Sequence, residues 1–279
     1  MPHNAGMPEL PEVEVTRRAL LQPLRGSVVR GAALGKPLRW PLQCEPDSLA
    51  GQRIERLERR GKYLLLGLQR GQLIVHLGMS GSLRWLDNAA AAAPQPGPHE
   101  HFRLLTDRGE LRMNDPRRFG AVIWQALPGP AHPLLSHLGP EPLEPGFDGE
   151  VLWRAVHPRR AAIKLLLLDQ SVVAGVGNIY ACEALFRAGI DPRTPGRRVS
   201  RERCARLAAE LRATLEQAVR AGGSTLRDFC SSDGSQGHFQ LEALVYGRAG
   251  QPCRVCARPL AHVAQGQRST YFCASCQRR

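Results

Sequence analysis

Between residues 54 and 127 the chain sets short apolar runs between polar turns. The runs fall at 63–68, 73–77, 82–86, 102–106, 110–113 and 121–127, the length of strands and too short for stable isolated helices. Glycines and an Asp107-Arg108-Gly109 turn separate them, so this stretch is expected to form a β-sandwich or barrel. Ahead of it, residues 12–24 are expected to form a helix, with Glu12 and Glu14 in the first turn, where carboxylates complement the helix dipole. The second half of the chain changes period. Leu207, Leu211, Leu215 and Val219 make one stripe, with Ser200 at the cap position and Gly222 at the stop, which predicts a long scaffold helix over 201–221. Two shorter helices are expected at 161–170 and 178–189. The turn joining them carries Gly175 and Gly177, where backbone can approach a ligand closely, and Asn178 opens the second helix, whose free N–H groups favour a phosphate.

Prolines and glycines between Leu127 and Gly149 mark a long connection between the strand-rich and helical parts. The insert at 88–98, with its alanine run and prolines, reads as a surface loop. No stretch approaches the length of a membrane span, and the start lacks a basic and then apolar leader pattern. The expectation is a soluble, intracellular chain.

Charge is distributed unevenly along the 279 residues. The formal net charge is +13, and residues 151–279 hold 20 Lys and Arg against 9 Asp and Glu. From Gly247 onward there are six arginines and no acid. This asymmetry suits contacts to a polyanion, whose phosphates dominate nucleic-acid affinity. Only Lys36, Lys62 and Lys164 are lysines; since arginine does not release its proton, they are the candidate side-chain amines.

Eight cysteines fall into two groups. Cys44, Cys182, Cys204 and Cys230 are scattered and read as small buried hydrophobes. Cys253-x-x-Cys256 and Cys273-x-x-Cys276 have the ligand spacing of one structural, four-thiolate Zn²⁺ site on a β-hairpin. Two disulfides of a secreted domain are the poorer reading, given four further cysteines and no leader.

Near the start stands Met7-Pro8-Glu9-Leu10-Pro11-Glu12-Val13. If the chain began at Met7 and that residue were trimmed, Pro8 would offer a secondary amine beside a carboxylate. Attack of such an amine on an aldehyde-type sugar carbon gives an iminium that is born charged, the Schiff-base logic usually supplied by lysine. In mid-chain the same nitrogen is an inert amide, and the prolines then merely frame a helix start.

Pro8 through Val13, His76-Leu77-Gly78-Met79-Ser80-Gly81-Ser82-Leu83, Asp115-Pro116-Arg117-Arg118-Phe119-Gly120, Val176-Gly177-Asn178-Ile179-Tyr180 and the terminal cysteine hairpin occur in this order. Together they resemble the formamidopyrimidine-DNA glycosylase family, and the resemblance runs from Met7 through Cys276. It implies an α+β multidomain protein: residues 1–6 a non-native or mis-assigned extension, 7–140 an N-terminal catalytic β-sandwich with its initial helix, 141–155 a linker, 156–246 a helix-two-turn-helix DNA-binding domain with a lesion-covering loop, and 247–279 a zinc finger. The implied activity is excision of oxidised purines, 8-oxoguanine and formamidopyrimidines, from double-stranded DNA, followed by strand cleavage through β,δ-elimination. The expected enzyme is a monomer of the bacterial cytoplasm and nucleoid, without membrane contact.

By position, Pro8 resembles the Schiff-base nucleophile and Glu9 the acid that protonates the opening deoxyribose. Lys62 matches the lysine of the β-elimination stage and Arg268 the arginine of the later one, where an always-charged guanidinium acts electrostatically. His99, Arg117, Arg160, Lys164 and Asn178 match DNA contacts. Met79, Arg117 and Phe119 resemble the triad that fills the gap left by an extruded base, a step that needs an apolar wedge and a donor. The segment 224–246 resembles the loop that covers the flipped base. Arg160 stands where the family often has lysine, and Ala161 where a hydroxyl residue is frequent.

Two other readings stand beside this one. An endonuclease VIII-type enzyme for oxidised pyrimidines shares the proline-glutamate start, helical motif and zinc finger, but Leu10 and the Asp115 to Gly120 motif favour the purine enzyme. A non-catalytic DNA-binding module is the reading if residues 1–6 persist and keep Pro8 acylated.

Overall fold

The computed structural model describes residues 7–88, 95–223 and 243–279; most of the 88–98 insert and of the expected 224–246 loop lies outside them. The chain divides into two compact units, one reaching to Pro133 and joined by Gly222 and Gly223, the other built on Leu134–Ala221 and the C-terminal segment. Among the described residues, no helix is long and apolar enough to cross a membrane.

The first unit opens with helix α1, Leu10–Leu24, two residues earlier than the expected start. The reason is local. Glu9 occupies the cap position in extended conformation, and the Glu12 carboxylate reaches back to the Glu9 backbone N–H, 2.8 Å away, so one orphan donor is satisfied and Pro11 sits where its missing N–H costs nothing. Eight strands follow: β1 Val29–Leu34, β2 Ile54–Arg60, β3 Tyr63–Leu68, β4 Gly71–His76, β5 Ser82–Asp87, β6 Glu100–Thr106, β7 Gly109–Asn114 and β8 Ala121–Ala126. They form two four-stranded antiparallel sheets, in the orders β1-β6-β7-β5 and β2-β3-β4-β8. All six apolar runs became β3 to β8. β1 and β2 were not expected.

Helix α1 packs against β2, and one carboxylate ties the two together. Glu14 takes Arg17 at 2.9 Å, Arg18 at 2.8 Å and, from β2, Arg59 at 3.3 Å. Burial alone would raise the Glu14 pKa, but the hydrogen bonds and charges of Arg17, Arg18 and Arg59 hold it down to about 2. Helix α1 is thereby anchored to the sheet.

The second unit contains the short α2, Pro133–Ser136, then α3, Gly149–Val156, α4, Ile163–Leu168, α5, Asn178–Arg187, and α6, Arg201–Arg220. Residues 149–156, expected as the end of a linker, are helical because Asp148 caps them, its carboxylate accepting from the Val151 N–H at 2.8 Å. The two middle helices are shorter than expected. α4 stops where Asp169 turns its carboxylate onto the Ser171 N–H and hydroxyl, and α5 starts one residue after its cap, Gly177. Ser200 caps α6 as the pattern required, accepting from the Arg203 N–H at 3.2 Å.

The C-terminal hairpin pairs β9, Ala261–Gln265, with β10, Arg268–Phe272. Gly266 and Gln267 both adopt positive φ, 52° and 60°, the two-residue turn whose twist suits a hairpin. Its apolar side joins α5 in one cluster of Cys182, Phe186, Val245, Leu260 and the buried ligand-spaced Cys253 and Cys273. Glu183, fully buried on α5, accepts three consecutive backbone N–H groups, from Leu244 at 2.9 Å, Val245 at 2.9 Å and Tyr246 at 2.8 Å.

Three donors on one carboxylate make Glu183 a strong anchor for the segment entering the hairpin. Glu183→Ala strands those buried N–H groups and is expected to cost more than about 3 kcal/mol in denaturant unfolding. A loss below about 1 kcal/mol would show that the anchor is dispensable.

Candidate active site and nucleic-acid interface

In the first unit, Pro8 and Glu9 are buried at the head of α1. Lys62, half-buried, sits in the tight turn between β2 and β3, the elements against which α1 packs. Beside it His76 ends β4, its ring 4.9 Å from that of Tyr63 and its Nδ1 accepting from the Gly78 N–H at 3.0 Å. Burial, with the Lys62 and Arg39 charges, pushes the His76 pKa down to about 4, so at neutral pH the imidazole is uncharged and adds no repulsion to Lys62. His76 lay inside a recognised motif, but no local pattern announced its proximity to Lys62.

Two turns carry Met79, Arg117 and Phe119, and one buried carboxylate knots them. Asp115 accepts from the Ser80 hydroxyl at 2.9 Å through one oxygen and from the Gly120 N–H at 2.7 Å through the other. Gly78, at φ 66°, lies so close to the second turn that a Cβ would stand 2.5 Å from the Gly120 nitrogen and the Phe119 carbonyl carbon. No side chain fits there. The knot leaves Met79 half-buried and Phe119 44% exposed, with the Arg117 guanidinium 5.0 Å above the Phe119 ring. Ordinary core packing therefore does not account for Phe119. His99 is exposed at the edge of the same knot, its carbonyl accepting from the Asp115 N–H at 2.8 Å.

In the second unit, Asn178 and Lys164 converge on the hairpin next to Arg268. The Ser269 carbonyl accepts from Lys164 Nζ at 3.0 Å and from Asn178 Nδ2 at 3.0 Å, and Lys164 also donates to the Thr270 hydroxyl at 2.6 Å. Lys164 is fully buried: its ammonium is turned onto the hairpin rather than outward as a DNA contact would be. Asn178 is 7% exposed, and its buried Oδ1 has no partner. Arg268 is exposed one residue before the shared carbonyl. The apolar tip between α4 and α5 is closed by Gln170, whose Oε1 accepts from Gly175 N–H at 2.7 Å while its amide donates to the Val176 carbonyl at 2.9 Å. Sequence reasoning passed over Gln170, Ser80 and the carboxylate of Asp115. Arg160 is exposed just ahead of α4.

Cys253, Cys256, Cys273 and Cys276 bring their four sulfurs within 4.8 Å of one another. The separations of 3.9 Å for Cys253 and Cys276 and 3.5 Å for Cys256 and Cys273 bracket the edge of about 3.8 Å that a tetrahedron with Zn–S bonds near 2.3 Å requires. The site fits one structural zinc.

Three family models cover these regions in order: the formamidopyrimidine-DNA glycosylase N-terminal domain over residues 7–122, its H2TH domain over 138–230, and the zinc finger found in FPG and IleRS over 250–279. Formamidopyrimidine-DNA glycosylase from Variovorax paradoxus is 55% identical, over 98% of this chain and 100% of the relative. The chain belongs to the formamidopyrimidine-DNA glycosylase family. The Acidovorax sp. (strain JS42) member is 56% identical over the same shares. Among solved structures, the MutM (Fpg) protein of Thermus thermophilus superposes with a TM-score of 0.86 at 40% identity, covering 97% of this chain and 98% of that one. The Lactococcus lactis Fpg bound to a FAPY-dG-containing DNA gives a TM-score of 0.85 at 31% identity, covering 97% and 100%.

Two outcomes follow from this geometry. Cys273→Ser is expected to lower bound zinc from about one per chain and to unfold the hairpin, since metal binding supplies on the order of 10–16 kcal/mol of folding energy in such sites; undiminished zinc by elemental analysis would contradict the assignment. Glu14 has a folded pKa below its unfolded value, so its contribution is present above pH 4.5 and lost as pH falls through about 2. The stability gap between wild type and Glu14→Gln, roughly 1–3 kcal/mol after solvent screening, is therefore expected at pH 6 and should close toward pH 2. Urea titrations of both proteins across that range check the sign.

Proposed function

We propose that this chain is a monomeric DNA glycosylase and lyase of base excision repair, removing oxidised purines from duplex DNA through a proline Schiff base. The observation that carries the reading is the knotted pair of turns. A rigid platform that holds an aromatic ring in solvent beneath a guanidinium suits insertion into a base stack, because the apolar ring replaces lost stacking and the cation meets acceptors on the estranged base. In the relatives, Lactococcus lactis Fpg was crystallised with FAPY-dG DNA and MutM with carbocyclic 8-oxo-G DNA, the substrates we assign here.

In this reading the Pro8 amine adds to C1′ of the damaged nucleotide as the bond from C1′ to the base breaks; the base leaves with the bonding electrons, and the proton released by the amine balances its charge. Glu9 delivers a proton to the ring oxygen as the deoxyribose opens, leaving C1′ joined to nitrogen as a cationic iminium. The iminium withdraws electrons, so the proton at C2′ is easily lost and the 3′ phosphate departs by β-elimination. Lys62 serves that stage and Arg268 the loss of the 5′ phosphate, holding the departing oxygens as a fixed charge. Asn178 at the head of α5 binds a backbone phosphate, with His99, Arg117 and Arg160 as further contacts. Lys164 acts through the hairpin, holding Ser269 and Thr270 so that Arg268 points at DNA. The work place is the bacterial cytoplasm and nucleoid, where duplex DNA lies.

The chemistry needs a free secondary amine, so the active form is the one in which Pro8 is the first residue. Borohydride added during turnover on an 8-oxoguanine duplex is expected to reduce the iminium and leave a stable adduct that peptide mapping locates at Pro8. A chain verified by mass to retain residues 2–6 should bind DNA, whose contacts are elsewhere, yet fail to excise the base. Trapping at Lys62 or Lys164, or full activity of the extended chain, would sink the nucleophile assignment.

A further inference from the structure

Near the start of α4 three arginines are already paired. Arg159 meets Asp169 at 2.8 Å, Arg154 meets Glu150 at 2.8 Å, and Arg193 meets Asp191 at 2.6 Å. Arg160, Arg197 and Arg198 are exposed, and among the described residues their guanidinium groups have no ion pair or hydrogen bond.

The backbone gathers these three. Gly196 N–H donates to the Ala161 carbonyl and Arg197 N–H to the Arg159 carbonyl, both at 2.9 Å, while Ala162 and Pro195 bridge antiparallel. The two segments run side by side, which sets Arg160 across from Arg197. Gly196 is pressed so closely on the Val156 carbonyl that a Cβ would stand 2.5 Å from it, so the ridge is tightly packed at its base. Its chain also leads directly back to the hairpin. Ile163 N–H donates to the Thr194 carbonyl at 2.7 Å, and Gln265, which pairs with Arg268 across the turn, sends Nε2 to the Pro192 carbonyl at 3.5 Å.

Three neighbouring guanidinium groups without an acid repel one another, a cost that a bound polyanion would reverse. Arginine forks match phosphate oxygens in geometry as well as charge. We propose that Arg197 and Arg198 extend Arg160 into a phosphate-binding ridge that grips the DNA backbone beyond the lesion. This rests on the reading of the chain as a DNA glycosylase. Such contacts set register and affinity without reading sequence.

The double variant R197A/R198A tests the ridge, with R154A as control because Arg154 is also exposed but already paired with Glu150. Binding to a lesion-bearing duplex of about 30 base pairs is measured across a salt series, after melting curves and zinc content confirm that each protein is folded. The slope of log affinity against log salt should become shallower by about 1–2 in R197A/R198A, 0.9 for each phosphate lost, and low-salt affinity should fall about 5- to 30-fold. R154A should keep the wild-type slope. A slope change of less than about half that in R197A/R198A, or an equal change in R154A, would overturn the ridge. If the wild type itself neither excises 8-oxoguanine nor binds DNA in a salt-dependent way, the glycosylase reading fails first; if it does both, a failed ridge leaves that reading intact.

Discussion

An ammonium group with no access to water must be met by oxygen, or its burial costs several kcal/mol. Lys164 imposes that condition on the second unit. Its Nζ is met by the Ser269 carbonyl and the Thr270 hydroxyl, so β10 has to lie where those two oxygens can reach α4. Asn178 adds a second donor, from α5, onto the Ser269 carbonyl. The four-cysteine cluster holds the other end of the hairpin. Arg268 is therefore positioned from both sides, by a buried cation next to it and by a metal site at the base of its hairpin, although its own side chain is free to meet solvent or phosphate.

The first unit solves its version of the problem with the opposite charge. Asp115 is a buried acid whose oxygens are taken by Ser80 and by the Gly120 backbone, and Gly78 allows the two turns to touch. Each unit thus places an exposed candidate side chain one or two residues away from a buried polar contact. The exposed residue is set by a neighbour that never needs to touch substrate.

Strands β3 to β8 were legible because their apolar runs are local and mostly buried. β1 and β2 escaped for a physical reason: like β5 and β8 they are edge strands, but they alone use the tolerance of an edge for glycine or for a row of charges in place of an apolar run. The sequences Val-Arg-Gly-Ala-Ala-Leu and Ile-Glu-Arg-Leu-Glu-Arg-Arg show it. The cysteine ligands were equally legible, since each pair sits within one knuckle of chain. The links from Ser80 to Asp115, 35 residues apart, and from Lys164 to Ser269, 105 residues apart, leave no periodic trace. Motif resemblance could mark Lys164 as important but not that it faces inward.

The knot around Asp115 also decides where the entropy of recognition is lost. Ordering a side chain at an interface costs about 0.5–1.5 kcal/mol each time a partner arrives. Here Arg117 already stacks on Phe119 and the backbone beneath both is locked by the Asp115 contacts, so that cost belongs to folding and is met once. In the proposed role of these two side chains, what remains to be paid on each encounter is the unstacking and bending of the DNA. A helix weakened by a damaged or mismatched base yields most easily, and a preorganised probe that does not itself soften is well suited to register that difference.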